Sequence, residues 1–137
     1  MSLRLLLMRN HEVLCEVPLS PTDWSRGELE AELDVFHEKL ERMFKTYSAM
    51  LNENRIRILR SLMEEQDSTL SFREIMKDLQ MNPKIIREHA AKLSEAGFLE
   101  TPGRGKYQLS SIGRVLFMTA GPALLRIFDT IIEELQE

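Results

Sequence analysis

The stretch Asn82–Leu109, NPKIIREHAAKLSEAGFLETPGRGKYQL, constrains this chain most tightly. Asn82 can accept a hydrogen bond from a free backbone N–H of the turn that follows, and Pro83 brings the fixed φ that suits a first helical position, so a helix begins here. It stops at Gly97. Ile86, Ala90 and Leu93 fall at i, i+4 and i+7 and make one apolar stripe, while Lys84, Arg87, Glu88 and Ala91 face away from it. The helix is therefore half buried and half displayed. Phe98-Leu99, then Pro102-Gly103-Arg104-Gly105, then Lys106-Tyr107-Gln108-Leu109 read as strand, tight turn and strand, with basic residues at the tip and just after it. A helix followed by a basic hairpin suits the gripping of a duplex.

The run REHAAKLSEAGFLE, the Gly103-Arg104-Gly105 hairpin and the phrase Tyr107-Gln108-Leu109-Ser110-Ser111-Ile112-Gly113 resemble the winged helix-turn-helix regulators, particularly the ArsR-like group of bacteria and archaea. The resemblance covers residues 52–113, and the flanking thirds carry no motif of that family. It implies a transcription regulator that binds double-stranded DNA and is not an enzyme.

The preceding segments fit. Residues 52–65 have helical periodicity with Ile56, Leu59, Leu62 and Met63 inward and Arg55, Arg57 and Arg60 outward, which by resemblance is the opening helix of a winged domain. Ser71 can cap a helix to which Glu74 replies three residues on, with Phe72, Ile75, Met76 and Leu79 as its buried side. Gln80-Met81-Asn82 then makes a turn short enough to set this helix across the next. Arg73 and Lys77 stay outside, near where a phosphate backbone would run.

Residues 3–8 and 13–17 are two apolar runs around Arg9-Asn10-His11-Glu12 and read as a hairpin ending at Pro18. Their alternation is poor, so the pair needs cover on both sides. His11 reads as a solvated turn residue. Ser20-Pro21-Thr22-Asp23 and Ser25-Arg26-Gly27-Glu28 both carry helix-start chemistry, the second matching a capping box. In the long helix that follows, Leu29, Leu33, Phe36, Leu40, Met43, Tyr47 and Met50 alternate steps of four and three, the spacing of a coiled-coil seam. The seam wants a partner helix, from a second chain or from an antiparallel pair within this one. His37 lies at its edge. At the other end, Ser110 or Ser111 can cap a last helix running toward Gln136, so apolar that two sides need burial, and Gly121-Pro122 should kink or break it.

The chain has 137 residues, 43% hydrophobic and 29% charged, which suits one compact domain with helical extensions. The six-residue run Leu3–Met8, apolar but for Arg4, cannot span a bilayer and no cleavage site follows, so a cytoplasmic protein with no membrane partner is expected. Cys15 stands alone, which fits a reducing compartment and a small buried hydrophobe. The net charge of −4 divides into −3 over residues 1–51, +1 over 52–111 and −2 over 112–137, so the acidity sits in the flanks and the central basic patch is weak. No GxSxG, Walker loop, HExxH or GxGxxG occurs, three scattered His and one Cys make no ligand cluster, and neither catalysis nor a cofactor is expected. Metal-sensing relatives often carry a Cys-x-Cys pair by the helix before the turn; this chain has Ile75-Met76-Lys77-Asp78 there, so no metal is expected at that site and any small-molecule effector is undefined.

The expected architecture is mostly α: a hairpin and heptad dimerisation helix over residues 1–51, a winged helix-turn-helix domain with a small β-hairpin wing over 52–111, and a C-terminal dimerisation helix over 112–137. The expected activity is sequence-specific DNA binding as a homodimer. The alternative is a winged-helix module that binds protein instead. Reading base edges in a major groove about 12 Å wide falls to Arg87. Lys84 suits a phosphate at the helix start. Asn82 is a cap with a possible second contact, and Glu88 can accept from a cytosine amino group or remain solvated. By resemblance His89 aligns with a family histidine that contacts backbone phosphate, and a packed or exposed neutral imidazole is the competing role. Arg104 at the wing tip fits a phosphate or the minor groove. Lys106, Arg73 and Lys77 complete the expected DNA-binding set.

Overall fold

The computed structural model describes residues 2–136. The chain divides into two units, Met1–Glu41 and Arg42–Glu137.

In the first, strands β1 (Arg4–Arg9) and β2 (Glu12–Pro18) pair antiparallel across Asn10-His11, with Asn10 at φ +56°, a conformation asparagine tolerates. The hairpin forms as its sequence suggests. Leu7 opposes Cys15 and Met8 opposes Val13, so Leu14 is an extra residue and the ribbon bulges. Leu5, Leu6, Leu7, Met8, Val13 and Leu14 are all exposed. Cys15 is exposed too, contrary to the burial expected of it, because it sits on a two-stranded ribbon that has no core of its own. Pro21–Asp23 makes one 3-10 turn, and helix α1 (Arg26–Met50) starts after it. The Glu28 N–H donates to Ser25 Oγ at 3.2 Å, one half of the expected box. The seam of α1 is open in the single chain: Leu33 and Phe36 are 54% and 52% exposed.

The second unit contains the end of α1, then α2 (Glu53–Glu64), β3 (Thr69–Ser71), α3 (Phe72–Leu79), α4 (Pro83–Glu95), β4 (Leu99–Glu100), β5 (Lys106–Leu109), α5 (Ser111–Met118) and α6 (Leu124–Leu135). Its core joins Met50 to Ile58, Leu59, Leu62, Ile75, Ile86, Leu93, Phe98 and Leu109. On α2 the buried stripe is Ile58, Leu59 and Leu62, with Met63 packed against it, whereas Ile56 is 37% exposed. The stripe is rotated from the expected one by about one residue's turn, which brings Arg55 to its middle, because positions 55, 58, 59 and 62 are i, i+3, i+4 and i+7. Arg55 is half buried, and only Arg57 and Arg60 of the three arginines face out as expected.

Strand β3 was not anticipated. It pairs with β5 (Leu70 opposite Tyr107), and β5 pairs with β4 (Leu99 opposite Leu109), so the wing hairpin sits in a three-stranded antiparallel sheet of order β3-β5-β4.

The terminal helix does not break, and within the single chain one of its faces packs on the core. Thr119–Ala123 adopts a five-residue π turn around Pro122, which has no N–H to contribute, and α5 and α6 run on through it. Leu116, Phe117 and Ala120 pack on the core. Val115, Leu125 and Phe128 are 62%, 60% and 60% exposed. By length and composition Ser111–Leu135 is a 25-residue helix apolar enough to cross a membrane, a property the opening residues lack.

Candidate nucleic-acid interface

Two capped helices and a wing build the displayed surface. Ser71 opens α3 with the complete box: its Oγ accepts from the Glu74 N–H at 3.1 Å and its own N–H donates to Glu74 Oε1 at 3.0 Å. The Ser71 backbone N–H first and the Ser71 hydroxyl second, with a smaller contribution from the Lys106 ammonium, hold the Glu74 carboxyl below its ordinary value. Gln80 ends α3 in the left-handed region at φ +50°, and its N–H reaches Met76 O at 2.9 Å. The chain turns there, as a helix-turn-helix requires.

Asn82 caps α4 as expected, its Oδ1 accepting from the Lys84 N–H at 2.8 Å. With Ile86, Ala90 and Leu93 buried, Lys84, Arg87 and Glu88 are exposed together. Arg87 does not stand free: its guanidinium lies over the Phe72 ring, 4.7 Å from the centroid, a cation–π contact between α4 and the first residue of α3. Sequence reading gave Phe72 only a core role. His89 is half buried, its Nδ1 covered and without a hydrogen-bond partner among the described residues. Burial first, then the charges of Arg55 and Lys92, push its pKa down.

Gly97 takes φ +91° where α4 gives way to the wing, a backbone state that favours glycine. At the wing tip Gly105 has φ +71°, and its carbonyl accepts from the Phe72 N–H at 2.8 Å, so the turn bearing Arg104 is tied to the start of α3. Arg104, Lys106, Arg73 and Lys77 are all exposed. The wing's far end is anchored by Ser110, whose Oγ donates to Gly97 O at 2.7 Å and accepts from the Gly113 N–H at 2.8 Å. Thus one serine joins the end of α4 to the start of α5. Among the described residues no group of three or more His, Cys, Asp or Glu is arranged to hold a metal ion.

Residues 52–101 match the family model described as bacterial regulatory protein, arsR family. No curated protein matches the chain. Among solved structures, HlyU from Vibrio cholerae N16961 superposes with a TM-score of 0.52 at 22% identity, over 62% of this chain and 94% of that one. Sco5413, a MarR family transcriptional regulator from Streptomyces coelicolor, gives a TM-score of 0.52 at 16% identity, over 80% of this chain and 82% of its own. Both likenesses concern the fold. Capped α3, turn, displayed α4 and sheet-anchored wing therefore constitute a winged helix-turn-helix, and through residues 52–101 the chain resembles the ArsR-like group of transcription regulators.

Proposed function

We propose that the protein is a sequence-specific, DNA-binding transcription regulator that acts as a homodimer, with α4 in the major groove and the wing on the backbone or minor groove. The observation that carries this reading is the exposure of Lys84, Arg87 and Glu88 on one capped helix beside a glycine-flanked Arg104. Selection of bound sequences from a random DNA pool tests it: enrichment of a two-fold symmetric site supports it, and no enrichment points to the protein-binding alternative that the net charge of −4 favours.

In this arrangement Arg87 reads a base and Lys84 positions the helix on phosphate. Stacking on Phe72 limits the freedom that the guanidinium must lose on binding. Arg87→Ala should cost about 1–3 kcal/mol on the preferred site and relax preference at one base pair per half-site. Lys84→Ala should weaken all sequences alike. Equal losses on specific and random DNA for Arg87→Ala would reverse the assignment.

Phosphate neutralisation falls to Lys84, Arg104 and Arg73, with Lys77 alongside and Lys106 partly offset by Glu74. A dimer then makes on the order of 6–8 contacts, giving a slope of log K against log salt of about −5 to −7. Arg104→Ala removes one contact from each wing and should make that slope shallower by roughly 2. Titrations at four salt concentrations measure it, and an unchanged slope with undiminished affinity would remove the wing from the mechanism.

The exposed faces of α1 and of α5–α6 are assigned to the second subunit. A bilayer is the poorer cover for the terminal helix, because Leu116, Phe117 and Ala120 hold α5 on the domain core. That leaves the 12 residues of α6, about 18 Å of helix. A hydrocarbon layer is about 30 Å thick, and α6 carries Arg126 and Asp129 besides. A cytoplasmic location accords with this reading.

A further inference from the structure

Arg55 stands where a core residue belongs, in the middle of the buried stripe of α2. Its Nε is covered and has no hydrogen-bond partner among the described residues, and the same is true of His89 Nδ1 nearby. Arg55 also forms one wall of a cavity of about 370 Å³, bounded further by Lys45 and Ser48 from the end of α1 and by Lys92 and Glu95 from the end of α4. Three cations thus converge with one carboxylate. None of the three takes part in an ion pair among the described residues. The volume lies within the usual range of small-molecule sites. A recess lined by one guanidinium and two ammonium groups is matched by an anion bearing several oxygens, since charge-assisted bonds to carboxylate or phosphate suit those cations.

We propose that this cavity binds a small, multiply charged anion, a polycarboxylate or a phosphate, held by Arg55 with Lys45 and Lys92 closing on it. The site lies at the C-terminal end of α4, whose N-terminal end carries Lys84 and Arg87. An anion seated there therefore bears on the helix assigned to DNA.

The test uses the full chain without DNA, so its outcome is independent of the DNA-binding reading. Two-dimensional 1H–15N spectra that include arginine Nε–H groups are recorded while inorganic phosphate, or separately citrate, is added at ionic strength held constant with chloride. A saturable shift of the Arg55 Nε–H, together with the amides of Lys92 and Glu95, is expected for at least one of the two. Saturation by phosphate alone assigns the phosphate class, and by citrate alone the polycarboxylate class. Lys92→Gln, an exposed change that leaves the core intact, should weaken the response at least tenfold; Arg55→Gln should abolish it, with the dispersion of the core amides reporting on folding. Shifts that follow ionic strength without saturating, undiminished affinity in Lys92→Gln, or saturation centred on Lys84 and Arg104 in place of the cavity would overturn the proposal.

Discussion

Replacing Leu33 and Leu40 by Lys should convert a homodimer into a folded monomer. Both positions lie on the four–three repeat of α1 that runs from Leu29 to Met50, and Leu33 is 54% exposed in the single chain, with Leu40 half buried. A lysine at Leu33 costs the isolated chain little, since surface changes usually stay within about 0.5 kcal/mol. In an interchain seam the same ammonium groups must be buried against apolar neighbours or escape at the expense of packing, a cost of several kcal/mol per site. Even about 4 kcal/mol raises a dissociation constant roughly a thousandfold. Light scattering at micromolar concentration should therefore report a dimer for the unmodified chain and a monomer with native helical content for the double variant. A monomeric unmodified chain would end the idea. Unfolding of the variant without a change of mass would instead place the partner of the seam within the same chain.

The winged domain was legible because its signals are local. Asn82-Pro83, the Ser71–Glu74 box and the Gly97 stop each specify a helix end within four residues, and each is found where the sequence put it. The third strand of the sheet was not legible, because Thr69–Ser71 is too short to show alternation and exists only through its pairing with β5. The orientation of α2 was misread by the weight given to Ile56. A stripe through 55, 58, 59 and 62 contains an arginine, and apolar counting discards such a stripe even though long cationic side chains can lie along a core. The same choice hid the cavity beside Arg55. Contact between Arg87 and Phe72 joins residues on two helices across a turn, and no spacing rule reports it. The burial expected for Cys15 failed for a related reason: in a two-stranded ribbon, composition does not say whether a face has anything to pack against. Exposure of the residues proposed to face DNA was legible, but the lowered pKa of half-buried His89 depends on its burial and then on Arg55, surroundings that only the fold supplies.

Gly113→Ala should destabilise the winged unit by about 3 kcal/mol. A Cβ at this position would sit 2.6 Å from Phe98 O, 2.9 Å from Phe98 Cα and 2.8 Å from Ser110 Oγ. Two of these three atoms are backbone, so they cannot move aside as the end of a flexible side chain would. Phe98 is fully buried and its carbonyl accepts from the Ser110 N–H at 2.9 Å, which fixes it further. Overpacking of a fitted core costs about 1–3 kcal/mol and occasionally more, and the rigidity of the obstacle puts this site at the upper end. For a unit of this size the melting temperature should fall by on the order of 10 °C. Gly27 on α1 provides the control, because a Cβ there meets nothing within 4 Å outside its own helix and its φ lies outside the left-handed region. Gly27→Ala should leave stability unchanged or raise it by about 0.4–1 kcal/mol through the loss of unfolded-state freedom. The effect should also reach the DNA-facing surface, since Ser110 ties the end of α4, the wing and the start of α5 together through Gly97, Phe98 and Gly113. Displacing α5 strains all three, so Gly113→Ala should lose DNA affinity at temperatures where it remains folded, whereas Gly27→Ala should not. Thermal and urea unfolding of the two variants decide the matter: a Gly113→Ala protein within 0.5 kcal/mol of the parent would show that α5 is free to move away from Phe98.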